Sequence, residues 1–437
     1  MSFGDTADGA GVAGPVPPAH LRVLEPAQAP DGSALTRCIS VGQAEFAEHY
    51  WGQRPLLSPS SSTGADFSDL LSIGAVDELI SRRGLRTPFV RMAKAGSVLA
   101  SSDFTRSGGV GAAVGDQVAD DKVLGEFAAG ATLVLQALHR NWPPLMQFGT
   151  TLSSELGHPV QINAYVTPPQ NQGFAAHYDT HDVFVLQVTG TKQWVIHEPV
   201  VRAPLPDQQW EKHRGAVAAR VNEKPTMTVS LQPGDALYLP RGYLHSATAL
   251  GELSIHLTVG VHPVTKHALV RELVAATTDN PELRGALPMG VDLSDPSVLA
   301  PYLAEVAEQL ANAVRNPDHL QLSRIADRVG AELLRNTRPA PVAPLAQLAA
   351  LGGPIESTRF RVRPGLRTVV HSAADCIRIS FLDKEIRFPP AQESALKLAL
   401  SGATFGAREL TGLSADDQEQ LVRRLLGEAL VVPEPDV

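Results

Sequence analysis

Residues 161–199 read QINAYVTPPQNQGFAAHYDTHDVFVLQVTGTKQWVIHEP, and the centre of that stretch is His177-Tyr178-Asp179. In an extended chain, residues i and i+2 face the same side. The spacing therefore aims an imidazole and a carboxylate at one point. Two ligands hold a metal poorly, so a third is expected from elsewhere in the chain. The best candidate is His245, in PGDALYLPRGYLHSA at 233–247. Two histidines and one carboxylate on one face of an octahedron leave three positions open, as in non-haem Fe(II) oxygenases.

An isolated H-x-D carries little by itself, because a lone histidine is more often a core or surface residue than a ligand. The surroundings add weight. Residues 183–188, VFVLQV, form an apolar run expected to be a buried strand. Residues 189–192 are expected to turn, and 193–196 to return as a second strand. His245 follows a Pro233-Gly234-Asp235 turn, a strand at 236–239 and a Pro240-Arg241-Gly242 break. Ligands near strand ends inside a barrel are how a cupin, or double-stranded β-helix, builds a metal site.

HYDTHDVFVLQVTGTKQW (177–194) and PGDALYLPRGYLHSA resemble the Jumonji-C (cupin-4) ribosomal oxygenases, which are Fe(II)- and 2-oxoglutarate-dependent protein hydroxylases. FAEHYWGQRPLL at 46–57 resembles the family's lead-in segment. The resemblance covers about residues 36–435 and is most specific at 161–260. It implies an α+β chain with a double-stranded β-helix (cupin/Jumonji-C) barrel at 36–264. A helical dimerisation region at 265–338 and a winged-helix-like module with its connector at 339–437 follow, while residues 1–35, rich in Gly, Ala and Pro, read from composition as a flexible tail.

The resemblance also assigns a cosubstrate site. A cation and one or two hydroxyl or amide donors must hold the far carboxylate of 2-oxoglutarate. Lys192 matches the family's cation. Asn163 and Tyr165, which share a face of the strand at 161–166, match residues lining the site, as does Thr258. Gly260 departs from the pattern, since a serine often stands there. Taken alone, Lys192 would read as a solvated lysine at the edge of a turn. Lysine rather than arginine at this task resembles the histidine-hydroxylating branch of the family, and the two cations are not interchangeable.

The implied activity is hydroxylation of an amino-acid side chain, histidine before arginine, in a protein substrate such as a ribosomal protein, using Fe(II), 2-oxoglutarate and O2. The same chemistry on a biosynthetic peptide, a tRNA base or a small metabolite stays open, as does lysine demethylation. A non-catalytic metal-binding cupin is the alternative of another class.

Composition is that of an ordinary soluble protein. Acidic residues outnumber basic ones 46 to 37, for a net charge of −9, which speaks against broad nucleic-acid binding. No long apolar run indicates a membrane span, and no basic-then-apolar leader is present. Cys38 and Cys376 do not make a disulfide framework, and a cytoplasmic location fits both thiols and Fe(II).

Elsewhere, helices are expected at 43–51, 67–80 with Asp66 or Ser68 as cap, 121–127 and 145–156, and strands at 88–92 and 130–134. The Gly- and Ser-rich stretch 101–115 reads equally as a mobile loop near the site entrance or as a plain surface loop. Arg91 and Asp182 are candidate substrate contacts. His256 is read as a buried neighbour of the site, and His158, His181, His197 and His213 as structural. Amphipathic helices are expected at 266–278, 298–314 and 320–334. Residues 339–354 read as a Pro/Ala-rich connector. Beyond it come strands at 359–362, 377–381, 385–388 and 429–432 and helices at 392–400 and 415–428. The last helix mixes Asp416, Asp417 and Glu419 with Arg423 and Arg424, a poor surface for phosphate, so this module reads as structural or protein-facing.

Overall fold

A computed structural model describes residues 22–24, 33–94, 96–111, 113–171, 174–315 and 319–434. Two compact units result. The larger takes the described residues from 33 to 345 with Arg363–Leu366. The smaller takes residues 22–24, Ala346–Val362 and the described residues from 367 onward.

The larger unit is built on strands β1 Leu56–Ser58, β2 Val90–Lys94, β3 Ser97–Val98, β4 Thr132–Leu135, β5 Val160–Thr167, β6 Asp182–His197, β7 Met227–Leu231, β8 Ala236–Leu239 and β9 Leu244–Val261. They form one antiparallel sheet in the order β1-β8-β6-β9-β5-β4-β2-β3, with β7 also paired to β6. The expected turn at 189–192 is absent. β6 runs unbroken through it, and so does β9 alongside, with a register shift between Leu250 and Ile255. Gly190 makes the bend possible. Its φ is +66°, and a Cβ there would overlap the carbonyl of Leu253, so only glycine fits. Each long strand thus serves two parts of the barrel. The first half of β6 pairs with β8 and the second half with β7.

The apolar run at 183–188 is buried as expected, because both faces of β6 are covered. Phe184 and Leu186 join the main core with Phe46, Tyr238 and Leu257, while Val183 and Val185 pack with Trp194, Ile196 and Leu237. Helices Gln43–His49, Asp120–Ala128 and Pro143–Leu156 form near their expected places. The helix expected at 67–80 begins later, at Ile73–Arg82, because Ser72 supplies the cap by accepting from the amide of Ala75. The stretch 101–115 contains a 3-10 turn at Ser101–Asp103 and a short strand, Thr105–Arg106.

Helices α1 Lys266–Ala275, α2 Pro296–Arg315 and α3 His319–Asn336 follow the barrel and fall within the larger unit. No described residue of α2 is buried.

In the smaller unit, strands Thr368–Ser372, Ile377–Phe381 and Lys384–Phe388 form an antiparallel sheet, and Arg22–Leu24 pairs with 368–370 at its edge. The expectation of a tail without structure therefore fails at residues 22–24. The rest of 1–32 lies outside the described residues. A second sheet joins Phe405–Gly406, Arg359–Val362 and Val431–Pro433. The expected connector at 339–354 contains a helix, Pro344–Gly352, with proline at its first position. Helix Ala415–Gly427 buries Leu421, Val422, Leu425 and Leu426. Its Arg423 pairs with Glu419 at 2.6 Å, and its Arg424 lies over the Phe388 ring.

Candidate metal centre and adjoining cavity

His177 and His245 are brought together by backbone pairing. They form an isolated antiparallel bridge in which His245 N donates to His177 O at 2.8 Å and His177 N to His245 O at 3.2 Å. His177 is therefore in a single bridge and Asp179 just beyond it, not in the regular strand the sequence suggests. The alternation survives. Tyr178 points the other way, is buried, and donates its hydroxyl to Gln208 O at 2.8 Å. The amide of Gly242 donates to Asp179 O at 3.0 Å and ties the second ligand to the turn before the third.

The ligand atoms of His177, Asp179 and His245 all lie within 4.8 Å of one another, and among the described residues no other such group of three occurs. His245 Nε2 is 3.7 Å from Asp179 Oδ2. The Nδ1 of His177 faces Ala175 O at 2.8 Å, and that of His245 faces Tyr243 O at 3.1 Å. A carbonyl only accepts, so each Nδ1 keeps the proton and each Nε2 keeps a lone pair for an ion. Burial, then the neighbouring His177, pulls the His245 pKa down to about 4, which leaves the neutral imidazole a metal needs. Desolvation pushes the Asp179 carboxyl up, but His181, His177 and His245 outweigh it and hold it below the usual range. The donor set fits a hard or borderline divalent cation with open positions.

The same cavity is lined by Asn163, Tyr165, Lys192, His256 and Thr258. Lys192 is buried, 3 % exposed. Its Nζ donates to Thr167 Oγ1 at 3.0 Å and stands 3.5 Å from His256 Nδ1. Among the described residues it has no carboxylate partner, and burial pulls its pKa down to about 7. His256 stacks on Tyr165 at 5.0 Å between ring centroids. Burial drives the His256 pKa far below the ordinary value, with the Lys192 charge adding to it. Burial, with Asp179 adding, pushes the Tyr165 hydroxyl up to about 12. Asn163 Oδ1 accepts from Ala137 N at 3.0 Å, which fixes its amide.

Asp182 does not face this cavity. It is fully buried, accepts from the Tyr238 hydroxyl at 2.7 Å and the Arg241 amide at 3.0 Å, and lies 3.5 Å from the Arg241 guanidinium. Its oxygens are committed to the fold, which corrects its reading as a substrate contact. Arg91 stands opposite Val134, which stands opposite Tyr165, so it is next to the cavity wall without lining it. Three residues were missed. Thr167 continues the alternation 161, 163, 165 and could have been found from it. Thr132, 3.3 Å from Thr167, carried no signal. His181 lines the cavity although the sequence reading made it structural.

Residues 138–269 match the family model described as the JmjC domain. The matched stretch is less than a third of the chain. It contains every cavity residue named above except Thr132. Over 201 residues the chain is 30 % identical to the bifunctional lysine-specific demethylase and histidyl-hydroxylase NO66 of Drosophila persimilis, covering 42 % of this chain and 28 % of that protein. Over 182 residues it is 34 % identical to ribosomal oxygenase 1 of Rattus norvegicus, covering 39 % of this chain and 30 % of that one. The chain thus spans less than a third of the length of these relatives. Among solved structures, Escherichia coli ribosomal oxygenase YcfD matches with a TM-score of 0.51 at 18 % identity, over 91 % of this chain and 99 % of that one. YcfD has also been seen in complex with cobalt and 2-oxoglutarate. At that identity the likeness shows a shared fold. In this chain the sheet continues beyond the matched stretch by antiparallel pairing through β4, β2 and β3.

Proposed function

We propose that this protein is an Fe(II)- and 2-oxoglutarate-dependent oxygenase that hydroxylates an amino-acid side chain, histidine before arginine, in a protein substrate such as a ribosomal protein. The observation that carries it is Lys192, a buried cation without a carboxylate partner among the described residues, in the same cavity as a three-ligand centre with open positions. A buried charge needs a counter-ion, and a cosubstrate carboxylate supplies one.

His177, Asp179 and His245 would hold Fe(II), and Lys192 with Thr167 would hold the far carboxylate of 2-oxoglutarate. Tyr165, Asn163 and Thr258 would line its path to the metal. Bound iron and 2-oxoglutarate supply the oxidising power that activates O2 and inserts one oxygen atom into a C–H bond. The chain orients the ligands through the carbonyls of Ala175 and Tyr243, keeps water from the Lys192 end, and presents the open side to a target carbon. The demethylase and histidyl-hydroxylase named among the relatives share this chemistry by name. The lysine counter-ion favours the histidine branch.

The helices after the barrel act as a dimerisation region in this reading, because α2 leaves Leu303 and Val306 58 % and 41 % exposed. Residues 339–437 are in this reading a connector and a winged-helix-like module, protein-facing or structural, and the internal use of Arg423 and Arg424 supports that over phosphate contact. A cytoplasmic location suits the two free thiols. Among the described residues no helix is long and apolar enough to cross a membrane.

Anaerobic titration with Fe(II) and 2-oxoglutarate tests the proposal. A weak visible charge-transfer band is expected in the wild-type protein. Its absence from folded, iron-loaded protein overturns the oxygenase reading in favour of a binding cupin.

A further inference from the structure

The cavity wall is a ladder of rungs between β5 and β9, with Tyr165 opposite His256, Asn163 opposite Thr258, and Gln161 opposite Gly260. Lys192 marks the inner end. Gln161 stands four residues from Tyr165, roughly 13 Å along the strand, and marks the outer end. At that outer rung glycine replaces a side chain, and the imidazole of His181 occupies the space. A Cβ at 260 would come within 2.9 Å of His181 Cε1 and 3.1 Å of its Nδ1. The His262 ring lies 5.0 Å from that of His181.

His181 Nδ1 is 3.2 Å from the Asp182 carbonyl, and Nε2 is 3.5 Å from the Gln161 amide nitrogen. The carbonyl requires a donor, so the neutral ring carries its proton on Nδ1 and presents Nε2 as an acceptor. Beyond this rung a second cavity of about 560 Å³ opens, lined by Gln161, Thr180, Arg241 and His262 among others.

We infer that His181, seated by Gly260 and flanked by Gln161, is a specificity-determining residue that accepts a hydrogen bond from an N–H-bearing target side chain, imidazole or guanidinium. The inference rests on the oxygenase reading and deepens it. A target N–H replaces the long 3.5 Å contact from the Gln161 amide with a stronger hydrogen bond, whereas an apolar target desolvates both groups and returns none.

The test uses blocked pentapeptides glycine-alanine-X-alanine-glycine, with X histidine, arginine or leucine. Each is titrated anaerobically into full-length protein whose Fe(II)–2-oxoglutarate band has formed, and the change in that band is followed. Wild-type protein is expected to bind the histidine or arginine peptide about tenfold more tightly than the leucine peptide. In H181A the preference collapses. In G260S it also collapses, because the serine displaces the ring while leaving an imidazole in the chain. A wild-type protein that forms the band but binds all three peptides alike overturns the inference, as does an H181A protein that keeps the preference. A wild-type protein that forms no band overturns the oxygenase reading itself, and this inference with it.

Discussion

Lys192 Nζ lies 3.0 Å from Thr167 Oγ1, in an interior where its pKa falls to about 7 because of burial. The ordinary value is 10.5. Binding a carboxylate favours the charged form and raises the pKa again. Above pH 7 the free protein must take up a proton to bind, so affinity for 2-oxoglutarate falls as pH rises. Calorimetric titration at fixed metal should show binding about tenfold weaker at pH 8 than at pH 6. Lys192→Met should bind weakly at both. The sign for folding is opposite. Between pH 7 and 10 the unfolded chain holds more protons than the folded one, so urea stability should rise with pH in wild type relative to Lys192→Met.

The bridge between His177 and His245 survives loss of a side chain, because it is made by backbone atoms. His245→Ala should therefore stay folded and lose the ion. Removing a group behind a ligand costs about 10- to 100-fold in metal affinity, so removing the ligand itself should exceed about 100-fold. Titration with Co(II), followed by its visible absorption, checks this. Retained affinity would remove His245 from the ligand set.

Asp182 should behave as a structural residue. It holds Tyr238 and the Arg241 amide, and the next amide, that of Gly242, holds Asp179. Asp182→Ala leaves a guanidinium with only 15 % of its side chain exposed without its carboxylate, a change expected to cost about 3 kcal/mol. Urea unfolding should show this loss, with Asp182→Asn closer to wild type. A peptide-affinity change without a stability change would restore Asp182 to the substrate surface.

Much of the site was legible because its signals are local. His177 and Asp179 are related by an i, i+2 step, and Asn163 and Tyr165 by another. His245 was found from the turn, strand and break before it. What was not legible depends on contacts between distant segments. Gly190 reads as a turn residue in sequence, and only the carbonyl of Leu253 across the barrel makes it a bend in a continuous strand. Asp182 reads as polar and near the mouth, and only Tyr238 and Arg241 show it to be buried. His181 lacks a ligand partner in sequence, and its place depends on the missing side chain at residue 260. Helix Pro344–Gly352 is masked in sequence by its Pro/Ala-rich composition, although its Gln347 side chain donates to the carbonyls of Leu426 and Val431 at 2.9 and 2.7 Å.

Gly190 should be intolerant of even the smallest addition. At φ +66° an alanine is strained, and its Cβ has no room because Leu253 O already occupies the position. The strand and its neighbour bend together there, so relief requires shifting the paired backbone of β6 and β9 that carries Lys192 on one side and His256 on the other. Gly190→Ala is expected to lower stability by about 2 kcal/mol or more and to weaken 2-oxoglutarate binding more than metal binding, because Lys192 is two residues away while the His177–His245 bridge lies at the end of β9. Thermal melts and separate metal and 2-oxoglutarate titrations measure the two effects. Equal losses in both titrations would mean that the bend supports the barrel as a whole and does not set the position of Lys192.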